Sequence, residues 1–476
     1  MRVAFVHHHF RPGGVTRVIS EQAAALKGFA DTILLTGEPP IEPVFIPHVV
    51  VPSLAYDRDR HDRKRASEIA DEILKFVWSV WKGGADLFHF HNPTLGKNAD
   101  LLSVMKVLND RKQNLLLQIH DFAEDGRPWG YSPEEYPSDC HYAVINRRDY
   151  RLLIEAGLTE QGLHYLPDAV RPLKGAEGAR EEQDLILYPV RAIRRKNIGE
   201  AVLLSLFIEK GKKIGITLEP TGPIDVKSYR GWMTFVQERH LPVLFGLGID
   251  RDFVSLLAKT KCMITTSIKE GFGLAFLEPW TGGKMLHGRL LGDICGDFIE
   301  SGVGLGHLYD KIQIPLSYLD ERILHRKWVG CYLERLRQYG LAEKPERIEE
   351  HCQGLLKGGF VDFGVLSEDL QMQALVGIVD DDSHRKKVLD VNPLLSDTNL
   401  FKESPGLISR NRSIVETEFS GERIRSLLLK AYEGVLGRTV FQSVNKAVLL
   451  CTFNRPEKNC LLLCESAFQS GLSVSS

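Results

Sequence analysis

Two acidic residues stand eight positions apart in the segment KEGFGLAFLEPW, at Glu270 and Glu278. The glycines between them would allow backbone N–H groups to approach a ligand closely, and a helix is predicted to begin at Leu274. Ionised carboxylates only accept hydrogen bonds, whereas vicinal sugar hydroxyls offer paired donors. Glu278 would lie just over one turn into that helix and could face the same crevice as Glu270. The arrangement favours holding two parts of one ligand over the facing carboxylates of a glycosidase.

A second candidate group is cationic and lies in VRAIRRKN, residues 190–197. A strand is predicted to end at Tyr188 and a helix to begin near Asn197, which places Arg191 and Lys196 at the carboxyl edge of a sheet. Ligands bind at that edge in parallel sheets. Two fixed cations there suit a diphosphate whose negative charge grows as its bond to a sugar breaks. Taken alone, the cluster is more typical of a solvated basic loop.

The first third of the chain contributes a glycine pair and a histidine. Gly13 and Gly14 follow the first predicted strand and precede a helix, an arrangement that leaves backbone N–H groups open to an anion. A tight turn that needs small residues explains the pair equally well. His120 ends a strand predicted in LLLQIHD. A lone histidine in such a place is more often a structural hydrogen-bonding group than a catalyst.

The remaining histidines do not predict a metal site. Consecutive strand residues point to opposite faces, so His7, His8 and His9 cannot all bind one ion. His89 and His91 share a face, but no acidic or cysteine residue stands at ligand spacing from them. No metal is therefore expected. The phosphate-binding and dinucleotide-binding glycine motifs and the serine nucleophile motifs are also absent from the sequence.

The composition is that of a soluble globular protein long enough for two domains. The 476 residues are 43% hydrophobic and 26% charged, and 60 basic against 62 acidic residues give a net charge of −2. This balance argues against a nucleic-acid partner. The eight cysteines show no C-x-x-C spacing, and neither a signal peptide nor a membrane-spanning apolar segment is evident. A cytoplasmic protein with reduced thiols is expected.

Strand-like and helix-like runs alternate along the chain, which predicts βαβ units with parallel sheets. The alternation stops at the polar segment 171–184 and then begins again, so two α/β halves joined by a linker are expected, with a ligand cleft between them. The predicted strands are 2–6, 32–36, 86–91, 114–119, 141–145, 185–188, 213–218, 242–245 and 262–266, and the predicted helices are 15–26, 69–81, 253–259 and 421–436.

Four elements occur in the order typical of one family. They are the Gly13-Gly14 start, the D-x-x-H-x-H stretch at 86–91, Arg191 with Lys196, and the two glutamates in the form E-x7-E. With them the chain resembles the retaining GT-B glycosyltransferases, in particular the large family 4 group. The resemblance spans residues 1–284 and resumes at 421–436. After Glu278, the run of small residues usual in the family is replaced by PWTGGK.

The resemblance implies a role for each candidate residue. Arg191 and Lys196 would bind the diphosphate of a nucleotide sugar and stabilise it as the leaving group, and Gly13 and Gly14 would approach it from the first domain. Glu278 would hold the nucleotide ribose. The donor sugar would be held by Glu270 together with the backbone of Phe272, Gly273 and Leu274, and His120 would contact it and help stabilise the transition state.

The resemblance also implies the fold and the reaction. Two Rossmann-like domains would face a central cleft: an N-terminal acceptor domain at 1–170 and a nucleotide-sugar domain at 185–420 that is atypical from about 284. A helix at 421–437 would return to the first domain, followed by an extension of unknown role at 438–476. A hexosyl unit would pass from a UDP- or GDP-sugar to a soluble acceptor hydroxyl with its configuration retained, without a metal or another cofactor.

Other functions fit the same residues. A catalytically silent member of the family would use the cleft to sense a sugar nucleotide or to bind partner proteins. An epimerase or phosphorylase of the same fold would also handle phosphate with Arg191 and Lys196. A lipid acceptor would suit an interfacial helix built from the basic stretch 57–65 and the aromatic residues of 76–81. The apolar stripe at Ile73, Val77 and Val80 favours a helix that packs on the core instead.

Overall fold

The computed structural model describes residues 1–57, 59, 63–173, 184–249, 253–342, 344–356, 358–396 and 401–463. The chain forms two units: unit 1 comprises Met1–Val170 and Thr417–Asn454, and unit 2 comprises Arg171–Glu416 and the described residues from 455 to 463. The chain therefore passes into unit 2 after Val170 and returns at Thr417. Most of the predicted linker, at 174–183, lies outside the described residues, as does the end of the predicted extension at 464–476.

Unit 1 is built on a seven-stranded parallel sheet with strand order β3-β2-β1-β4-β5-β6-β7. Its elements in the first part of the chain are β1 (Arg2–His7), α1 (Gly14–Leu26), β2 (Asp31–Thr36), β3 (His48–Val50), α2 (Arg63–Val80), β4 (Leu87–His91), α3 (Leu101–Asp110), β5 (Leu115–Ile119), β6 (His141–Val144), α4 (Arg147–Glu155) and β7 (Leu163–Tyr165).

The sheet of unit 1 is covered on both faces, which explains why its strands are apolar without alternation. In β1, Ala4 and Val6 belong to one buried cluster and Val3 and Phe5 belong to another. The stripe of α2 that contains Ile73 and Val77 packs into the first of these clusters, although Val80 and Trp78 at its end are exposed. None of the described helices combines the length and apolar character needed to cross a membrane.

Unit 2 is built on a five-stranded parallel sheet with strand order β10-β9-β8-β11-β12, accompanied by a small antiparallel pair, β13 and β14. Its elements are β8 (Leu185–Arg191), α5 (Ile198–Leu204), β9 (Lys213–Leu218), α6 (Pro223–Glu238), β10 (Val243–Leu244), α7 (Phe253–Ala258), β11 (Thr260–Thr265), α8 (Glu278–Thr281), β12 (Met285–Gly288), α9 (Gly292–Glu300), β13 (Gln313–Pro315), α10 (Glu321–Gln338), α11 (Pro345–Leu355), β14 (Phe360–Asp362), α12 (Glu368–Asp380), α13 (Asp382–Val391), α14 (Pro393–Ser396) and α15 (Pro405–Glu418).

Unit 1 is completed by α16 (Gly421–Gly437) and α17 (Lys446–Phe453), after which the described residues 455–463 belong to unit 2. Leu428 and Tyr432 of α16 are buried in the same cluster as the residues of β1 and α1 that face them. Leu449 of α17 joins the cluster on the other face of the sheet. The predicted fold class is confirmed by these elements: two parallel α/β units and a C-terminal helix that returns to the first.

Three details of the predicted elements need correction. The helix predicted from Leu274 is only a short 3₁₀ turn, and α8 begins at Glu278, because Pro279 lacks an N–H and suits the first turn of a helix. Glu278 is therefore the first residue of its helix and does not lie a turn inside it. The strand predicted to stop at Tyr188 continues to Arg191, and β12 replaces what the sequence presented as an irregular segment.

Candidate functional site

The predicted site residues fall into two groups, one in each unit. In unit 2, the loops that follow β8 and β11 are fastened to each other at the carboxyl edge of the sheet, because these strands are parallel neighbours. The backbone carbonyl of Lys196 accepts hydrogen bonds from the hydroxyls of Tyr188 at 2.6 Å and Thr266 at 3.0 Å. The Ile268 N–H donates to the carbonyl of Arg195 at 3.0 Å. The backbone beneath the cationic side chains is thus held by the acidic loop.

The ion pair between Lys196 and Glu270 lies at the centre of this group. The ammonium of Lys196 donates a hydrogen bond to the Glu270 carboxylate, and Arg195 lies 3.7 Å from its other oxygen. Glu270 is only 7% exposed. Burial alone would raise the pKa of Glu270, but the charges of Lys196 and Arg195 outweigh it, and the pKa lies below its ordinary value. The carboxylate is therefore ionised and acts as a hydrogen-bond acceptor.

The turn after Glu270 depends on a glycine. Gly273 has φ +98°, and a Cβ at this position would lie 3.0 Å from Phe276 Cδ2 and 3.1 Å from Ile294 Cγ2. The Phe272 ring is buried and meets Phe298 edge-on, with 5.4 Å between ring centroids. Leu274 opens the 3₁₀ turn. The side chain of Phe272 is therefore part of the core, which leaves its backbone for the ligand contact that the family resemblance implies.

Arg191 and Glu278 stand at the margins of this group. Arg191 is exposed, and its guanidinium donates to the Glu219 carbonyl at 3.1 Å, at the end of β8 and β9. Lys196 lies instead where β8 adjoins β11, so the two predicted cations point to different parts of the same sheet edge. Glu278 is half-buried at the start of α8, and its carbonyl accepts a hydrogen bond from Thr281 Oγ1 at 2.8 Å.

The prediction from sequence missed two of the basic residues in the segment 190–197. Arg195 is the second cation beside Glu270. Arg194 forms an ion pair with Glu368 at the start of α12, and its backbone N–H donates to the Asp225 carboxylate at 2.9 Å. The doubled arginine in RAIRRKN was the sequence feature that could have indicated them. Only the three-dimensional arrangement shows that Arg194 anchors the loop to α12, whereas Arg195 lies at the site.

A buried ion network links the loop after β8 to the segment beyond residue 284, in which the sequence shows no regular βαβ pattern. The Asn197 amide donates to Glu200 at 3.0 Å, and Glu200 accepts two hydrogen bonds from the Arg289 guanidinium, at 2.6 and 2.9 Å. Arg289 also donates two bonds of 2.8 Å to Asp362. Glu200 is fully buried and Arg289 is 4% exposed. The segment beyond residue 284 thus supports the loop that carries Lys196.

In unit 1, the glycine pair opens α1. Gly13 is the N-cap, with φ 175° and no side-chain cap, and Gly14 is the first helical residue. A Cβ at Gly14 would meet no atom within 4 Å, so packing does not require glycine there. The free space at this helix start is compatible with the predicted approach of an anion, and the extended backbone at Gly13 carries no strain.

His120 lies directly after β5 and is 6% exposed. Its backbone N–H and that of Asp121 both donate to the Asn92 side-chain oxygen, at 3.3 and 3.1 Å. Its ring Nε2 lies 3.1 Å from Nδ1 of His91. Burial lowers the pKa of His120 to about 4, against the opposing effect of Asp121. The imidazole is therefore neutral at neutral pH.

The other histidines make separate contacts. His7 Nδ1 bonds the His91 carbonyl at 2.9 Å, His8 Nδ1 bonds the Leu54 carbonyl at 3.0 Å, and His9 Nε2 bonds the Tyr56 hydroxyl at 2.8 Å. Across the part of the chain that the structure describes, no group of three histidine, cysteine or acidic side chains has the geometry to hold a metal ion. A cavity of about 720 Å³ lies elsewhere in unit 1, beside β7, α4 and α16, and contains none of the predicted site residues.

Comparison with known proteins places this geometry in context. No protein-family model matches the chain. The chain is 27% identical over 440 residues to mannosylglucosyl-3-phosphoglycerate synthase from Petrotoga mobilis, over 83% of this chain and 85% of that protein. Sucrose-phosphate synthase from Thermosynechococcus elongatus superposes with a TM-score of 0.52 and 14% identity, covering 91% of this chain and 98% of its own.

HepE from Anabaena, solved in complex with UDP and glucose, superposes with a TM-score of 0.53 and 13% identity, covering 90% of this chain and 98% of its own. At these identities the solved structures establish the fold, which is the two-domain GT-B fold. The fold neighbours and the Petrotoga relative together support a GT-B glycosyltransferase.

Proposed function

We propose that the chain is a retaining, family 4-like glycosyltransferase. It would transfer a hexosyl unit from a UDP- or GDP-sugar to a hydroxyl of a small soluble acceptor. The observation that carries the proposal is the arrangement of Lys196, Arg195 and Glu270 at the carboxyl edge of the unit 2 sheet. Cations for a diphosphate and an ionised acceptor for sugar hydroxyls lie together there, as a nucleotide sugar requires.

The basic residues would bind the diphosphate. Lys196 and Arg195 lie beside Glu270, and Arg191 lies farther along the same sheet edge with one of its five N–H donors used by Glu219. Negative charge builds up on the diphosphate as the bond between the sugar and the phosphate oxygen breaks. Cations already fixed in place stabilise that charge without reorganising, which is why they accelerate the reaction.

The acidic loop would hold the sugar and the nucleoside. Glu270 and the backbone from Phe272 to Leu274 would bind the hexose hydroxyls. The backbone can adopt this turn because Gly273 has no Cβ that would collide with Phe276. Glu278, half-buried at the start of α8, would accept the paired hydroxyls of the ribose. From unit 1, Gly13 and Gly14 would donate backbone N–H groups to the diphosphate.

The reaction would need neither a protein base nor a metal ion. The acceptor oxygen bonds to the anomeric carbon on the face that the diphosphate leaves, so the configuration is retained. The departing phosphate oxygen takes the proton of the acceptor hydroxyl. His120, which is neutral at neutral pH, would contact the transferred sugar through a hydrogen bond.

The acceptor class is inferred from the relative and from α2. The Petrotoga protein is named for a product with a mannosyl group on glucosyl-3-phosphoglycerate. A small, polar, anionic acceptor such as glucosyl-3-phosphoglycerate is therefore the first candidate. The burial of Ile73 and Val77 in the core makes α2 a packed helix, which favours such an acceptor over a lipid.

The experiment that tests this function measures thermal unfolding against UDP, GDP, ADP and their glucose and mannose conjugates. A ligand that binds only the folded protein raises its midpoint. We expect one nucleotide class to stabilise the wild-type protein and the Lys261→Ala variant, whose lysine pairs with Glu209 on the surface of unit 2. The same class should fail to stabilise Lys196→Ala and should stabilise Glu278→Ala much less than the wild type. Binding without transfer to any acceptor would favour a catalytically silent protein that senses a sugar nucleotide. No binding of any nucleotide would contradict the proposal.

A further inference from the structure

Three histidines gather at the carboxyl ends of adjacent strands in unit 1. His7 ends β1, His91 ends β4 and His120 follows β5, and these strands are neighbours in the order β1-β4-β5. The rings of His91 and His120 are stacked, with centroids 5.3 Å apart and an interplanar angle of 20°. Their only hydrogen bond to each other joins His91 Nδ1 to His120 Nε2, at 3.1 Å.

Both rings are neutral at neutral pH. Burial lowers the pKa of His91 well below its ordinary value, with further lowering from His89 and His120, and it lowers the pKa of His120 to about 4. A neutral imidazole carries one N–H and one lone pair. One of the two facing nitrogens must therefore donate and the other must accept, so the choice fixes the tautomer of both rings.

The surroundings of His91 decide the direction. His91 Nε2 is buried and has no hydrogen-bond partner among the described residues. A buried N–H without a partner is rarer and costlier than a lone pair without one. The proton of His91 therefore belongs on Nδ1, which donates to His120 Nε2. His120 must then carry its own proton on Nδ1, the one polar atom of its ring that is not used in this contact.

We propose that His91 is a positioning residue that holds neutral His120 as a hydrogen-bond donor through Nδ1. The inference rests on the proposed function, in which His120 contacts the transferred sugar. It assigns the direction of that contact: Nδ1–H donates to an oxygen of the sugar, and His120 takes no proton from the acceptor. His91 would not touch the substrate itself. It would act only through the orientation and tautomer of His120.

The test combines nuclear magnetic resonance of the full-length protein, labelled with ¹⁵N-histidine, with steady-state kinetics. The spectra distinguish Nδ1–H from Nε2–H tautomers, and the His120→Asn variant identifies the His120 signals. We expect the Nδ1–H tautomer in the wild-type protein. His91→Leu removes the donor, so we expect a mixture of tautomers and a kcat lower by roughly 10- to 100-fold. The KM for the nucleotide sugar should change less, and His91→Asn, whose amide can donate, should recover much of kcat.

His8→Asn is the matched control for the loss of a buried histidine. His8 is 2% exposed, bonds a carbonyl through Nδ1 and has an unpartnered Nε2 among the described residues, and it is not bonded to His120. It should lose stability without changing the tautomer of His120. A wild-type His120 in the Nε2–H form, or an unchanged kcat in His91→Leu, would overturn the inference. If no donor supports transfer, the proposed function fails, while the spectra still decide the tautomer.

Discussion

Lys196 and Glu270 lie 74 positions apart in the sequence, yet they form a partly buried ion pair where β8 and β11 end side by side. The pair joins the cation predicted to bind a phosphate to the acid predicted to bind a sugar. A diphosphate that approaches Lys196 would compete with Glu270 for its N–H donors. The two halves of a nucleotide sugar would therefore be recognised by groups that already contact each other.

Lys196→Ala should weaken nucleotide binding below detection and lower kcat/KM for the donor by about a hundredfold or more, because fixed charge at the leaving group is lost. It leaves Glu270 with Arg195 as its remaining cation at 3.7 Å, so the pKa of the carboxyl should rise. Calorimetric titration measures the loss of nucleotide binding, and steady-state kinetics measure the loss of rate. Lys261→Ala, which removes a lysine from a surface ion pair, should match the wild type. Equal binding by the two variants would remove Lys196 from the site.

Glu270→Gln should change how stability depends on pH. The folded-state pKa of Glu270 lies below its ordinary value of 4.5, so its ionised form stabilises the folded protein above that pH. The contribution is lost as the pH falls through the folded-state pKa. The wild type should therefore exceed Glu270→Gln in free energy of unfolding at pH 7, and the difference should shrink below pH 4.5 in urea unfolding. A difference independent of pH would mean that the charge contributes nothing.

Glu278→Ala should weaken donor binding with little loss of stability. The carboxylate stands in the first turn of α8, where its interaction with the helix dipole is worth about 0.3–2 kcal/mol. Its removal should raise the KM for the nucleotide sugar by about tenfold or more, as expected when a paired hydroxyl contact is lost. Glu209→Ala, an exposed acid of the same unit, is the control. An unchanged KM would exclude the ribose contact.

The two glycine sites should respond differently to alanine. Gly273→Ala places a Cβ on a residue whose backbone is in the left-handed region, and that Cβ would press against Phe276. The variant should therefore lose about 1–3 kcal/mol of unfolding free energy. Gly14→Ala has open space around it and should leave stability unchanged or slightly higher. If Gly14 approaches the diphosphate, the same variant should still weaken donor binding. Denaturant unfolding and calorimetry separate the two outcomes, and full binding by Gly14→Ala would remove this glycine from the donor site.

Much of the fold could be predicted from the sequence, because strands buried on both faces appear as short apolar runs between helical patterns. The runs at β1, β4, β5 and β11 were each located to within two residues, and α16 was located to within one. The edge strand β12 was missed, since its four residues, MLHG, contain a histidine and follow two glycines and a lysine. The local sequence does not indicate a strand here. The strand is recognised only from its parallel pairing with β11.

The site was harder to predict than the fold. The types of the candidate residues and their places at strand ends follow from local patterns, but the partner of each charge does not. Arg194, Arg195 and Lys196 are adjacent in sequence, yet the first is paired with Glu368 and the other two lie beside Glu270. Those contacts depend on the order of the strands and on α12, which lies in a segment without a recognisable sequence pattern.

The most direct test of the central claim is a transfer reaction followed by nuclear magnetic resonance. The wild-type protein would be incubated with a ¹³C-labelled UDP- or GDP-hexose and glucosyl-3-phosphoglycerate, with Lys196→Ala in parallel. We predict a new glycosidic bond with the α configuration of the donor, released nucleoside diphosphate, and no product from the variant. A product of inverted configuration, or transfer at an equal rate by Lys196→Ala, would contradict the account.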